Sequence, residues 1–156
     1  MYQLDTWHWL SPSVVAILIH IALETPAGLN FILRPSHTLR SPSPAALPVI
    51  RQYGLVLLVM NGVLLLLLAN QYHFKEGTIA GAPDNESAVT YFHDNEQFLG
   101  RICGVLSIYH IGPVLRAIEK RSQKAMPGVE AYGGPTIVIT AHGIAWAVLL
   151  GAWLLS

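Results

Sequence analysis

The chain has 156 residues, of which 53% are apolar and only 12% charged, and its formal net charge is zero. A soluble domain carries about 25% charged residues, and no basic run points to nucleic acid, so composition excludes both classes and leaves an integral membrane protein. The single cysteine, Cys103, excludes an intrachain disulfide framework and a cysteine-rich metal site.

Four apolar stretches of about 20 residues each match the thickness of a bilayer core. The first, at residues 13–33, stops at Arg34-Pro35; no basic n-region precedes it, so it reads as a retained anchor rather than a cleaved signal. The second, at 47–70, contains an unbroken leucine run from Leu64 to Leu68. The third, at 97–117, carries the small pair Gly100 and Gly104. The fourth, at 135–156, opens on Pro135, a residue suited to a first helical turn. Gly143, Ala147 and Gly151 recur along it at intervals of four. Small residues let helix backbones approach in lipid, and these faces predict a tight bundle and permit a homodimer. The expected fold is an all-α, integral membrane four-helix bundle, with residues 1–156 as one domain.

Loop charges set the orientation. Arg34, Arg40 and Arg51 flank the first connection, and Arg116, Lys120, Arg121 and Lys124 flank the third. The middle loop, 71–96, has one lysine among several acids and a glycosylation sequon at Asn85-Glu86-Ser87. By the positive-inside rule, both termini and the middle loop face a lumen, expected to be that of the endoplasmic reticulum. Trp7, Trp9, Tyr132 and Trp153 fall near the expected interfaces.

Within the spans, polar residues are rare and occupy one level. Glu24 is the twelfth residue of the apolar stretch that begins at Ser13. At 1.5 Å per residue from the lumenal boundary, Glu24 lies about 16 Å deep, Asn61 about 14 Å and Ser107 about 15 Å. Tyr109 and His110 lie at about 18–20 Å and His142 at about 21 Å. His20 and Glu24 share a helix face at i, i+4. Pro26 and Pro113 each free a backbone carbonyl, of Ala22 and Tyr109, beside this layer. Freed carbonyls in a membrane need local partners or a wet cavity.

A carboxyl at such depth is costly unless it has a partner, a proton or a task. Apolar surroundings favour its neutral form, which can donate a proton. Glu24 is therefore the candidate general acid and His110 the candidate base, with His20, Asn30, Tyr53, Asn61, Ser107 and Tyr109 as candidate substrate contacts. Structural roles are the competing reading: Glu24 as interhelical glue, Asn61 as packing glue, and His20 and His110 as satisfied core histidines. Arg51 and Arg101 lie near span ends and snorkel. His8, His37, His73 and His93 lie in loops or interfaces.

No nucleotide loop, nucleophile elbow or HExxH motif is present, and no metal or other cofactor is expected. The remaining chemistry is proton transfer on a lipophilic small molecule that arrives through the bilayer. An epoxide suits it, because protonating the oxygen opens a strained ring, after which water or an internal hydroxyl attacks. Two other classes compete. One is a non-catalytic lipid-binding or accessory protein. The other is a haem protein with His110 and His142 as axial ligands.

Three stretches, Glu24-Thr-Pro-Ala-Gly-Leu-Asn30, Ile50-Arg-Gln-Tyr-Gly54 and Ile108-Tyr-His-Ile-Gly-Pro-Val-Leu-Arg116, resemble small four-span proteins of fungal polyketide and meroterpenoid pathways. The nearest functional analogy is with membrane epoxide hydrolases of polyene-pyrone pathways. More remotely, the chain resembles integral membrane terpene cyclases and emopamil-binding sterol isomerases. The resemblance implies an acidic intramembrane role for Glu24. Unlike the terpene cyclases, this chain is short and has no second acid deep in a helix.

Overall fold

A computed structural model describes residues 11–37, 43–79, 85–122 and 134–156, with side chains described at 11–37, 43–69, 96–119 and 136–156. It contains four helices: α1 (Pro12–Leu33), α2 (Ala46–Ile79), α3 (Asn85–Ser122) and α4 (Gly134–Leu155). The stretches long and apolar enough to cross a membrane are Pro12–Leu33, Ala46–Ala69, Glu96–Glu119 and Thr136–Leu155, within two residues of the sequence reading at each end. The fold is an all-α membrane four-helix bundle.

Local chemistry sets the ends of α1. Ser11 caps it, its hydroxyl accepting from the Val14 N–H at 3.3 Å, and Pro12 occupies the first turn. At the other end the Arg34 N–H donates to the Asn30 carbonyl at 2.8 Å, and Pro35–His37 turns away as a short 3₁₀ helix. Ser43 caps α2 through both its carbonyl and its hydroxyl.

The middle loop expected at 71–96 is helical over 71–79 and 85–96. Bilayer thickness limits a span but not a helix, and no proline interrupts the chain between Pro48 and Pro83. Both α2 and α3 therefore continue past the apolar region. Trp7, Trp9, Arg40, Lys124, Tyr132, His8 and the side chains of Tyr72, His73, Asn85, His93, Lys120 and Arg121 lie outside the described residues.

Helix α1 packs broadly against α2 and also meets α3 and α4, while α3 and α4 form the other close pair. An apolar core joins all four helices toward the end where α1 begins and α4 finishes, built from Ala16 and Ile17, Leu64 and Leu68, Leu99, Cys103 and Leu106, and Leu149 and Ala152. The leucine run splits by helical period: Leu64 and Leu68 turn inward, Leu65 and Leu66 outward.

Glycine spacing was only partly informative. On α3, a methyl at Gly104 would meet the Trp153 ring at 3.1 Å, and one at Gly100 would run into Ser156. On α4, however, none of the described residues lies within 4 Å of a methyl placed at Gly143 or Gly151, and Ala147 is exposed. That stripe turns away from the bundle, because Ala145, Leu149 and Ala152 form the inward face. Where α1 crosses α2 the two backbones come close, and a methyl at Gly54 would lie 2.7 Å from the Gly28 carbonyl oxygen.

Candidate functional site

Glu24 lies twelve residues after Pro12, or about 18 Å along a helix about 33 Å long. Counted from the same side of the membrane, His110 lies about 21 Å from Glu96 and His142 about 20 Å from Leu155. Three helices thus bring ionisable side chains to one level. Among the described residues, Glu24, His20 and His110 are buried, while His142 is 20% exposed.

The three imidazoles form a chain. His20 Nδ1 lies 2.9 Å from His110 Nε2, and His110 Nδ1 lies 2.8 Å from His142 Nδ1. Each contact requires one nitrogen to carry a proton and the other to accept it. The His20 and His110 rings meet edge to face, with centroids 5.1 Å apart and planes at 82°.

The carboxylate of Glu24 closes this chain. Its Oε1 stands 3.5 Å from His142 Nδ1 and 3.8 Å from His110 Nδ1. Both separations exceed hydrogen-bond length, and Oε1 has no hydrogen-bond partner among the described residues. The other oxygen, Oε2, accepts from the Tyr109 hydroxyl at 3.2 Å. That hydroxyl is 2.9 Å from the hydroxyl of Tyr53, whose side chain is exposed on α2. A hydrogen-bonded path therefore runs from the exposed Tyr53 through Tyr109 to Glu24, and a gap of 3.5 Å separates it from the histidines.

Of the residues singled out from sequence, Glu24, His110, His20, Tyr109 and Tyr53 belong to this network. Asn61 stands beside it: its Nδ2 donates to the Thr25 hydroxyl at 3.0 Å, while its Oδ1 is buried without a partner. Ser107 does not join it, because its hydroxyl donates at 2.7 Å to the Gly104 carbonyl of its own helix. Asn30 lies six residues beyond Glu24, near the C-terminal end of α1, its buried Nδ2 unpartnered among the described residues. His142 is the member that sequence reasoning left out of the site, although its depth matched that of His110. Thr25 gave no signal beyond its place next to Glu24.

The arrangement bears on two cofactor questions. Axial haem ligands stand about 4 Å apart across an iron, at about 2 Å each. The Nδ1 atoms of His110 and His142 hydrogen-bond each other instead, so no macrocycle fits between these two rings as they stand. A small metal ion is a different matter, since His20, Glu24 and His110 each offer a donor atom within 4.8 Å of the others.

Pro26 and Pro113 both lie inside continuous helices. The carbonyls they free belong to the turns that carry Glu24 and His110, so the backbone next to the network also lacks part of its usual pairing. No protein-family model, curated protein or solved structure matches this chain.

Proposed function

We propose that this protein is a membrane-embedded enzyme that acts on a lipophilic small molecule at the Glu24 centre. Its reaction is the opening of an epoxide, by water to a diol or by an internal hydroxyl to a ring, in polyketide or terpenoid biosynthesis. One observation carries the reading: a buried carboxyl with one unpartnered oxygen, ringed by three histidines, in the middle of an apolar bundle. Such a group inside a membrane reads as functional by default.

Epoxide opening needs an electrophile on the ring oxygen and an acceptor for the nucleophile's proton. Glu24 is the acid at hand. As its proton moves to the epoxide oxygen, a carbon–oxygen bond breaks and the attacking oxygen bonds to that carbon. The attacking group's proton passes to an imidazole. His142 suits this step better than His110, because it is partly exposed while His110 is fully buried. From His142 Nδ1 the proton lies 3.5 Å from the Glu24 oxygen to which it must return. The sum consumes one epoxide and one water, or isomerises one hydroxy-epoxide, and restores the enzyme. Tyr109 holds the other carboxyl oxygen and keeps Oε1 turned toward the histidines.

The finer setting is part of the same reading. The membrane is that of the endoplasmic reticulum, with the middle segment and both chain ends lumenal. Two copies would pair through the outward stripe of Gly143, Ala147 and Gly151. Glycosidase sensitivity that disappears in Asn85→Gln tests the orientation.

The functional test uses the purified full chain in lipid nanodiscs with a panel of lipophilic epoxides in isotopically labelled water. The expected result is a diol carrying one labelled oxygen, or a cyclic product carrying none. A folded, monodisperse protein that converts no member of the panel beyond the protein-free rate defeats the proposal and leaves a lipid-binding or accessory role.

A further inference from the structure

We infer that the same centre is a binding site for one divalent first-row transition-metal ion, held by Glu24 Oε1, His110 Nδ1 and His142 Nδ1. Three donor atoms bind one ion only if a point exists at bonding distance from all three. Their separations are 2.8, 3.5 and 3.8 Å. The circle through a triangle with those sides has a radius of about 2.0 Å, and zinc bonds to histidine nitrogen and carboxylate oxygen are about 2.0–2.2 Å long. An ion at that point, or slightly out of the plane, binds all three without rearrangement of the helices. Donors on one ion at about 2.1 Å can stand no more than about 4.2 Å apart, and all three separations satisfy this limit.

The surroundings match what metal ligands require behind them. A ligating histidine donates its other ring N–H to an acceptor, which fixes its tautomer. With Nδ1 on the ion, His110 carries its proton on Nε2, and His20 Nδ1 lies 2.9 Å away to accept it. A ligating carboxylate has its free oxygen hydrogen-bonded, and Tyr109 donates to Glu24 Oε2, with Tyr53 behind it. The unpartnered Oε1 is the atom left for the ion.

Two histidines and one carboxylate leave coordination positions open, the pattern of a catalytic rather than a closed structural site. Since His142 is the partly exposed ligand, the open positions lie on its side. The inference rests on the proposed function only for where the substrate binds. It deepens that reading by making the ion, rather than a carboxyl proton, the electrophile on the epoxide oxygen. Water on an open position of the ion would then attack carbon as the ring carbon–oxygen bond breaks, its proton passing to the alkoxide oxygen so formed.

The test is metal binding to the full chain in nanodiscs after chelation, followed by titration with Co²⁺ alone and with Zn²⁺ alone. The expected result is one Co²⁺ per chain with visible d–d bands of low coordination number. His142→Ala and His110→Ala should abolish the bands, and His20→Ala should weaken binding about 10- to 100-fold, as loss of an outer-shell partner does. X-ray absorption at the zinc edge of the wild type should count two imidazoles, which keeps the test valid if a variant fails to fold. Cobalt bands unchanged in a folded His142→Ala protein, or no binding by a monodisperse wild type, overturn the inference. Epoxide turnover by chelated, metal-free protein also overturns it while leaving the enzyme reading intact, with Glu24 as proton donor. Stoichiometric, His142-dependent binding without turnover upholds the site and removes the epoxide reaction.

Discussion

Replacing Glu24 by glutamine separates a chemical role from a structural one, because the two roles differ in magnitude. The amide keeps the volume of the carboxyl, and its oxygen can still accept from the Tyr109 hydroxyl now 3.2 Å from Oε2. The other oxygen makes no hydrogen bond, so none is lost on that side. Interhelical polar contacts in membranes average about 0.6 kcal/mol and reach about 1.7 kcal/mol. The structural cost of Glu24→Gln should therefore stay below about 2 kcal/mol. The chemical cost is larger: losing a positioned acid lowers a rate about 10²- to 10⁴-fold, equivalent to about 3–5 kcal/mol. An amide is also a poor metal ligand, so the loss is expected whether the electrophile is a proton or an ion.

The assay pairs turnover with a thermal unfolding curve on the same nanodisc preparation. The expected outcome is turnover reduced at least 100-fold in a protein whose unfolding midpoint has moved by only a few degrees. Glu24→Ala is the control: it opens a cavity and leaves the Tyr109 hydroxyl with only Tyr53, so it should lose several times more stability than the glutamine variant. If Glu24→Gln unfolds as readily as Glu24→Ala, and its residual turnover tracks the folded fraction, then the carboxyl is glue and the chemical reading fails.

Three further substitutions probe the rest of the site and its frame. Ser107→Ala should change turnover less than twofold and stability by no more than about 0.5 kcal/mol, because its hydroxyl bonds only its own helix; a large loss of turnover would return Ser107 to the site. Tyr109→Phe removes the hydroxyl shared by Glu24 and Tyr53, and should lower turnover about tenfold through loss of carboxyl orientation, with wild-type turnover showing that Oε1 needs no such support. Gly54→Ala places a methyl 2.7 Å from the Gly28 carbonyl oxygen and 2.9 Å from Phe31 Cβ; it should destabilise the bundle by about 1–3 kcal/mol, read as a lower unfolding midpoint, and an unchanged midpoint would mean that α1 and α2 can separate freely.

The spans were legible because lipid imposes a length and an apolar composition, and the four stretches satisfy both within two residues. Depth was legible for the same reason: counting residues brought Glu24, His110 and His142 to one level before any contact was known. Rotation about the helix axes was not. It decides that Gly143 and Gly151 face outward while Gly100 and Gly104 pack against α4, and a four-residue spacing reads the same in both cases. Rotamers were also hidden. Ser107 lies at the right depth on a buried face, yet its hydroxyl turns back three residues to the Gly104 carbonyl, a bond open to any serine in a helix. The helical continuation over 71–79 was missed because the change from apolar to polar residues marks the edge of the lipid rather than the end of the helix.

The polar layer is not the sole contact that joins the helices, and this bears most directly on its purpose. All four helices already meet in the apolar core around Ile17, Leu68, Cys103 and Leu149, and α1 is fixed to α2 at the Gly28–Gly54 crossing. Replacing buried polar groups together by apolar residues of similar volume is often neutral or stabilising by about 1–4 kcal/mol, whereas removing one partner leaves the others exposed to an apolar environment. The combined variant His20→Leu, Glu24→Met, His110→Leu, His142→Leu should therefore form a monodisperse bundle at least as stable as the wild type, in contrast to the single variant Glu24→Ala. It should also bind no Co²⁺ at this centre and have no turnover. A combined variant that fails to assemble would mean that the carboxyl and histidines specify the packing of the bundle. One that assembles would leave their cost in the membrane to be explained by chemistry.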